Sequence, residues 1–273
     1  MPQHPAPPGT WDEDPDGASI LLATGRARHD LLVIAEPAFL RDLDQAWGRP
    51  AARVRLSFLP GVPAPGAPGL EDALLSYERG GLGVLVARGR TSLFEGESAR
   101  STTALARIAS GTRLRAALLV TRAIPLSGAG DTLDGAAPGQ VRVVADHLNL
   151  SGGPLFPATG MVSAGWDANL VERMEHLSGV SGSAVVALVP GPLRPSPAEA
   201  RVMASLGADA AVTDSVAEAM ALASRDVAVV SLVHLEAPVA GGNLGPSQTS
   251  LRQASGVALA AVEDVLRSLQ TGA

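Results

Sequence analysis

Arginine and carboxylate side chains are the groups with which this chain could do chemistry, because several more reactive residue types are missing. The 273 residues include no cysteine and no lysine, so all 21 basic residues are arginines. Thiol nucleophiles, disulfides, cysteine metal sites and lysine Schiff bases are therefore excluded. Arginine can clamp an anion bidentately, and a carboxylate can act as a general base. The histidines and carboxylates show no metal-ligand spacing, and we expect neither a metal nor another cofactor.

Charge and hydropathy favour a small molecule as the partner. The net charge is −6, and the arginines are dispersed rather than gathered in a stripe, which argues against a nucleic-acid surface. The sequence contains no run of roughly 18 apolar residues, so no membrane span is predicted. Met1–Gly17 is rich in proline and acidic residues and lacks the features of a secretory signal. We expect a cytoplasmic protein with a disordered tail over residues 1–18 and one domain over residues 19–273.

Short apolar runs alternate with helical segments, which is typical of an α/β fold with a sheet covered by helices. The strand-like runs are residues 31–35, 82–87, 115–121, 141–146, 183–189, 209–213 and 227–233. Ser196 and Glu199 form a predicted capping box with a proline at the first helical position. Ser215 and Glu218 repeat that signature before the next helix. A long final helix is predicted from about Gln248 to Leu269.

Four segments carry a resemblance to a known family. DHLNLSGGPL, Asp146–Leu155, resembles the DHxNLxGxNPL segment of trimeric purine nucleoside phosphorylases, and Pro190–Ala223 is similar to their GPxxETxAExRxxxxLGADxVGMSTVPExxxA segment. GRTSLFEG, Gly89–Gly96, resembles GRxHxYEG, and VVSLVHL resembles the strand ending in SLITN. The chain is thereby identified as a member of the purine nucleoside phosphorylase superfamily over about residues 31–269. The resemblance implies a single α/β domain with a mixed, twisted sheet, and usually a homotrimer.

The resemblance also implies a phosphate site, of which this sequence retains only half. Arg90 keeps the position of the phosphate-binding arginine, whereas Ser92 and Phe94 stand at the family's histidine and tyrosine positions. Glu36 and the proline after it replace a glycine-rich turn with a serine that cradles phosphate. Proline has no amide donor, and a glutamate repels an anion. Asp214 replaces a phosphate-contacting serine and again opposes a bound dianion.

The purine-binding part of the site departs from the family more strongly than the phosphate-binding part. Pro195 stands at the position of the purine-binding glutamate and Leu235 at that of the asparagine that stabilises the departing base. A site without those hydrogen-bonding groups discriminates poorly among bases. The positions expected to contact a substrate are Ser92, Phe94, Arg122, Ala123, Phe156, Arg194, Thr213 and Leu235.

Four residues are candidates for catalysis, and each has an alternative role. They are Arg90, Glu95, Asp214 and His234. Asp214 is a candidate general base or a cap for the following helix. His234 is expected to point away from the face of Leu235, because side chains alternate along a strand. Arg90, Arg122 and Arg194 could clamp an anionic substrate, or could simply be neutralised by Asp214, Glu36 and Glu95.

Three functions follow from these residues. The first is a repurposed enzyme of specialised metabolism that acts on a small molecule by cyclisation, elimination or hydrolysis, without phosphorolysis. The second is a divergent nucleoside phosphorylase or hydrolase, with Asp214 or Glu95 activating water. The third is a noncatalytic homologue that binds a ligand or a partner chain. The loops Leu59–Gly69 and Ala237–Ser247 are expected to form mobile borders of the pocket.

Overall fold

The computed structural model describes residues 11–126, 138–153, 155, 165–191, 194–236 and 248–271. Its strands are β1 (Leu31–Ile34), β2 (Ala52–Val54), β3 (Leu74–Arg79), β4 (Leu82–Ala87), β5 (Ala116–Pro125), β6 (Val141–Asn149), β7 (Val180–Leu188), β8 (Ala210–Val212) and β9 (Ala228–Leu235). Its helices are α1 (Ala18–Thr24), α2 (Arg41–Trp47), α3 (Ala99–Thr102), α4 (Ala104–Gly111), α5 (Ala168–Glu175), α6 (Pro197–Ser205), α7 (Val216–Ala223) and α8 (Gln248–Thr271). No helix in these ranges is both long and apolar enough to cross a membrane.

All the described strands belong to one mixed sheet in the order β2-β3-β4-β1-β5-β8-β7-β6-β9. Strands β4, β1, β5 and β9 run parallel to one another. The pairs β2–β3, β3–β4, β5–β8 and β6–β9 are antiparallel. Because β5 pairs with both β8 and β9, the second half of the sheet closes into a ring. The predicted single α/β domain with a mixed sheet is confirmed.

The strands read as continuous apolar runs because both faces of the sheet are covered. In β1, Leu32 and Ile34 belong to one core, and Leu31 and Val33 belong to the other. Helices α4 and α7 contribute to the first core, and α2 and α8 to the second. The sheet is therefore a rigid frame on which the residues at its strand ends are held in place.

Four charged residues meet at one edge of this frame. Glu36 lies shortly after β1, Arg90 shortly after β4 and Glu236 directly after β9, while Arg122 lies in the last part of β5. The carboxyl ends of parallel strands share one edge of a sheet, and such edges are the usual binding crevices of α/β proteins. This edge therefore defines where a functional site is expected.

The two Ser-x-x-Glu signatures have different outcomes. Ser196 and Glu199 form the predicted capping box, in which each side chain accepts the other's backbone N–H. The same prediction is wrong for Ser215, whose hydroxyl makes no cap hydrogen bond and whose φ is 63°. A serine with this positive φ cannot offer the usual extended cap geometry. Glu218, the fourth residue of that signature, interacts with the Ser215 backbone amide and also lies beside Arg90.

The described end of the acidic segment packs against the domain. Asp12 pairs with Arg107 and Arg225, and Asp14 accepts hydrogen bonds from the first backbone amides of α1. Residues 11–17 thus contact the helices, whereas a disordered tail over residues 1–18 is predicted from the sequence. The domain boundary itself stays a prediction. The loop at residues 59–69 is described, and the one at residues 237–247 lies outside the described residues.

Candidate functional site

A cavity of about 450 Å³ opens at the charged edge of the sheet. Most of the residues predicted from the sequence line it: Arg90, Ser92, Phe94, Glu95, Arg122, Arg194, Thr213 and Asp214. Apolar side chains from β5 and β8, including Ile124 and Val212, form part of its wall. Strand ends and loops distant in sequence therefore converge on one concave site, the usual form of a small-molecule pocket.

Arg90 is the most deeply buried cation of the cavity. Its Nη1 donates to Asp214 Oδ1 at 3.0 Å, and its Nη2 donates to the carbonyls of Ile34 and Val120 at 2.8 and 3.1 Å. Thr121 Oγ1 donates to the same Asp214 oxygen. Burial lowers the pKa of Arg90, but the carboxylates around it more than offset that effect, so its pKa lies above the ordinary value. Arg90 is therefore a fixed cation whose partner is a protein carboxylate.

Arg122 is held by two carboxylates. Its Nε and Nη2 donate to Glu36 at 2.6 to 2.9 Å, and its Nη1 donates to Glu236 Oε1 at 3.1 Å. Arg194 Nη2 donates to the other oxygen of Glu236, also at 3.1 Å. Glu236 thus links Arg122 of β5 to Arg194, which precedes α6. The neutralisation hypothesis names Asp214, Glu36 and Glu95, with Glu95 as a candidate partner of Arg90. In the structure Arg90 pairs with Asp214 and Arg122 with Glu36, whereas Arg194 pairs with Glu236.

Glu95 is bound by backbone amides. Its Oε1 accepts from the N–H groups of Gly66 and Ala67 at 2.7 and 3.0 Å, and its Oε2 accepts from that of Ser92 at 2.9 Å. These bonds tie the loop at residues 59–69 to the 3-10 turn at Leu93–Glu95. Both oxygens are occupied, so the geometry favours Glu95 as a loop clamp over a base that activates water.

Three of the predicted site residues lie in the packed core. Leu235 and Ala123 belong to the same apolar cluster, and neither lines the cavity. His234 is buried on the other side of β9, where its ring lies 5.7 Å from that of Phe39. Neither ring nitrogen of His234 has a hydrogen-bond partner among the described residues, and burial lowers its pKa. Phe156 lies outside the described residues.

Two carboxylates of this site, Glu236 and Glu218, are not among the site residues predicted from the sequence. Glu236 directly follows Leu235, so an available signal was the first charged residue after the apolar run of β9. Glu218 lies behind Arg90, with Oε2 3.3 Å from Nη1 of that arginine. Burial raises the pKa of Glu218 to about 7, although Arg90 opposes the effect. No group of three or more potential metal ligands occurs within the described ranges.

The sequence and the fold of the chain are similar to those of known proteins. No protein-family model matches the chain. It is 30% identical over 234 residues to the purine nucleoside phosphorylases of Mycobacterium bovis and Mycobacterium tuberculosis, covering 82% of this chain and 83% of each relative. The structure is similar to Schistosoma mansoni purine nucleoside phosphorylase in complex with inosine, with a TM-score of 0.71, 15% identity and coverage of 94% and 97% of the two chains. With a monocyclic inhibitor bound, that enzyme gives a TM-score of 0.74 at 16% identity, covering 93% of this chain and 97% of its own.

Proposed function

The chain belongs to the purine nucleoside phosphorylase superfamily, and from that membership we propose that it is an enzyme that cleaves a glycosidic bond of a small molecule with water instead of phosphate. Its relatives are named as enzymes, and the cavity lies at a strand-end edge suited to catalysis. Among cyclisation, elimination and hydrolysis, the arrangement around Asp214 supports hydrolysis best.

The observation that carries the proposal is the pairing of Arg90 with Asp214. The resemblance implies that, in the family, phosphate binds beside the arginine at the position of Arg90. Here a carboxylate of the protein takes Nη1, and two backbone carbonyls take Nη2. A phosphate dianion would have to displace Asp214 and would lie against its negative charge, which costs about 4 kcal/mol per unit charge at 4 Å and an effective dielectric constant near 20. This opposes phosphate as the nucleophile.

Asp214 has the arrangement of a held general base. Both of its described side-chain hydrogen bonds, from Arg90 and Thr121, end on Oδ1, which leaves Oδ2 for a water molecule. In the proposed step, Oδ2 accepts a proton from water while the water oxygen bonds to the anomeric carbon. The glycosidic bond breaks, its electron pair leaves with the departing group, and a proton from solvent or Asp214 neutralises that group. Positioned general bases contribute about 10² to 10⁴ in rate.

The charge of the cavity suits a cationic transition state. Among its described lining residues, four carboxylates face three arginines: Glu36, Glu95, Asp214 and Glu236 against Arg90, Arg122 and Arg194. Glycoside hydrolysis passes through an oxocarbenium-like transition state, which fixed carboxylates stabilise. The cavity therefore stabilises positive charge that develops on the substrate, whereas the binding of an anion such as phosphate is stabilised little.

Glycoside cleavage without phosphate tests the proposal. Inosine, adenosine, uridine and an aryl riboside are incubated in phosphate-free buffer, and the free base or phenol is separated by chromatography. We expect cleavage without phosphate, its loss in Asp214→Asn, and its retention in Asp226→Asn, a matched change at an exposed aspartate. Cleavage that requires phosphate would support a divergent phosphorylase. Thermal stabilisation by a glycoside without turnover would support the noncatalytic alternative.

A further inference from the structure

Glu218 is a buried carboxylate that the hydrolytic step does not use. It lies in the first turn of α7, and its side chain is only 4% exposed. Its Oε2 is 3.3 Å from Arg90 Nη1, the same nitrogen that donates to Asp214 Oδ1 at 3.0 Å. That Oε2 has no hydrogen-bond partner among the described residues. One guanidinium nitrogen is therefore placed between two carboxylates, and it donates a hydrogen bond only to Asp214.

The surroundings of Glu218 limit which groups can control its charge. A narrow cavity behind Arg90 reaches Glu218, and its other described lining residues, among them Thr102 and Leu105, carry no charge. The charged groups that act on Glu218 are Arg90 and Asp214, while the Ser215 backbone amide also favours the carboxylate form. Loss of the proton from Glu218 thus adds a negative charge to the cluster of Glu218, Arg90 and Asp214.

We infer that Glu218 is a positioning residue that sets how firmly Arg90 holds Asp214, and so switches the hydrolytic base with pH. While Glu218 is protonated, the charge of Arg90 is directed to Asp214. When Glu218 loses its proton, Arg90 is shared by two carboxylates and its hydrogen bond to Asp214 weakens. Asp214 is then freer to accept a proton from water. The inference rests on the proposed hydrolysis, because it assigns a control to the base of that reaction.

The protonation change falls in the neutral range. Burial raises the pKa of Glu218 to about 7, and the negative charge of Asp214 contributes to the rise while Arg90 opposes it. Replacing Asp214 with asparagine removes that negative charge and should therefore lower the midpoint of Glu218. Coupling between two sites is reciprocal, so the Asp214 carboxylate must in turn sense the ionisation of Glu218.

Carbon NMR of selectively labelled Asp and Glu carboxyl groups, recorded against pH, tests the coupling without any substrate. Loss of a signal in Asp214→Asn and in Glu218→Gln assigns the two resonances. In the wild type we expect the Glu218 signal to titrate near pH 7 and the Asp214 signal to inflect at the same midpoint. The Asp214 inflection should vanish in Glu218→Gln, and the Glu218 midpoint should fall in Asp214→Asn. An Asp214 signal that stays flat through neutral pH, or that inflects equally in Glu218→Gln, would overturn the inference.

The pH dependence of cleavage separates this inference from the proposed function. For any glycoside that is cleaved, kcat/KM should rise through neutral pH in the wild type and lose that rise in Glu218→Gln. A merely structural role would lower thermal stability without altering the profile. Identical profiles in both proteins would refute the role of Glu218 and leave hydrolysis standing. Coupled titration without cleavage of any glycoside would refute hydrolysis instead. If Glu218→Gln fails to fold, the Glu signal that titrates near pH 7 in the wild type is taken as that of Glu218. A fall of its midpoint in Asp214→Asn then supports the inference, and an unchanged midpoint refutes it.

Discussion

Releasing Arg122 from Glu36 should strengthen the binding of inorganic phosphate in the cavity. Arg122 donates three hydrogen bonds to Glu36, through Nε to both oxygens and through Nη2 to one of them. Glu36→Gln removes the negative charge and most of that acceptor capacity, while the pair of Arg122 with Glu236 remains. The side chain of Glu36 is 18% exposed, so solvent screens the original pair only partly.

The gain can be bounded from the number of freed donors. A hydrogen bond to a charged group contributes about 1.5–3 kcal/mol, and 1.4 kcal/mol is a factor of ten in affinity. The side chain of Arg122 is 32% exposed, so we take the lower figure and a single new bond to the anion. Inorganic phosphate should therefore bind Glu36→Gln about tenfold more tightly than the wild type.

Isothermal titration calorimetry with inorganic phosphate measures this gain. Glu263→Gln is the matched control, since it changes the net charge equally at an exposed position of α8. Adding Arg122→Met to Glu36→Gln should abolish the gain, which locates the phosphate. The reasoning is refuted if the wild type already binds phosphate as tightly as Glu36→Gln, or if Glu263→Gln gains as much.

Three further changes test other parts of the structure. Burial, with a smaller contribution from Arg26, lowers the pKa of His29 from 6.5 to about 4. The unfolded chain thus binds more protons over that interval, and stability should fall by up to about 3 kcal/mol as the pH drops from 6.5 to 4. Denaturant titrations should show that His29→Gln loses this dependence and that His176→Gln, at an exposed histidine, keeps it. Ser215→Gly should raise Tm by about 2–4 °C, because relief of about 1–3 kcal/mol of backbone strain exceeds the entropy cost of glycine. The gain should exceed that of Ser215→Ala, and a lower Tm for the glycine variant would contradict the strain assignment. Glu95→Gln should destabilise by about 1–3 kcal/mol and expose the loop at residues 59–69 to limited proteolysis, with Glu263→Gln again unaffected.

The sequence predicted the fold well because motif order and strand composition both reflect the same buried sheet. The run of β1 is apolar on both faces since cores lie on both sides of it. The alternation along β9 likewise predicted that His234 and Leu235 face opposite sides, and they do lie in different surroundings. Local periodicity is sufficient for such conclusions because each depends only on neighbouring residues.

The charge pairs of the cavity depend on contacts distant in sequence. Arg90 and Asp214 are 124 residues apart, and no local pattern decides whether Arg90 selects Asp214 or Glu95. Glu95 instead accepts hydrogen bonds from backbone amides of a loop whose path the sequence does not specify. Ser215 and Glu218 show the same limit, because a capping signature cannot reveal a positive φ at its first residue. The residues of the site were therefore found more readily than their partners.

The origin of the oxygen added to the product tests the central claim most directly. An intact glycoside that the protein cleaves is incubated with it in water labelled with heavy oxygen, in the presence of inorganic phosphate. The sugar product is then analysed by mass spectrometry. Hydrolysis assisted by Asp214 predicts a free sugar that carries one heavy oxygen and no phosphate. An unlabelled sugar phosphate as the product would contradict it, because phosphate would then be the nucleophile despite the pairing of Arg90 with Asp214.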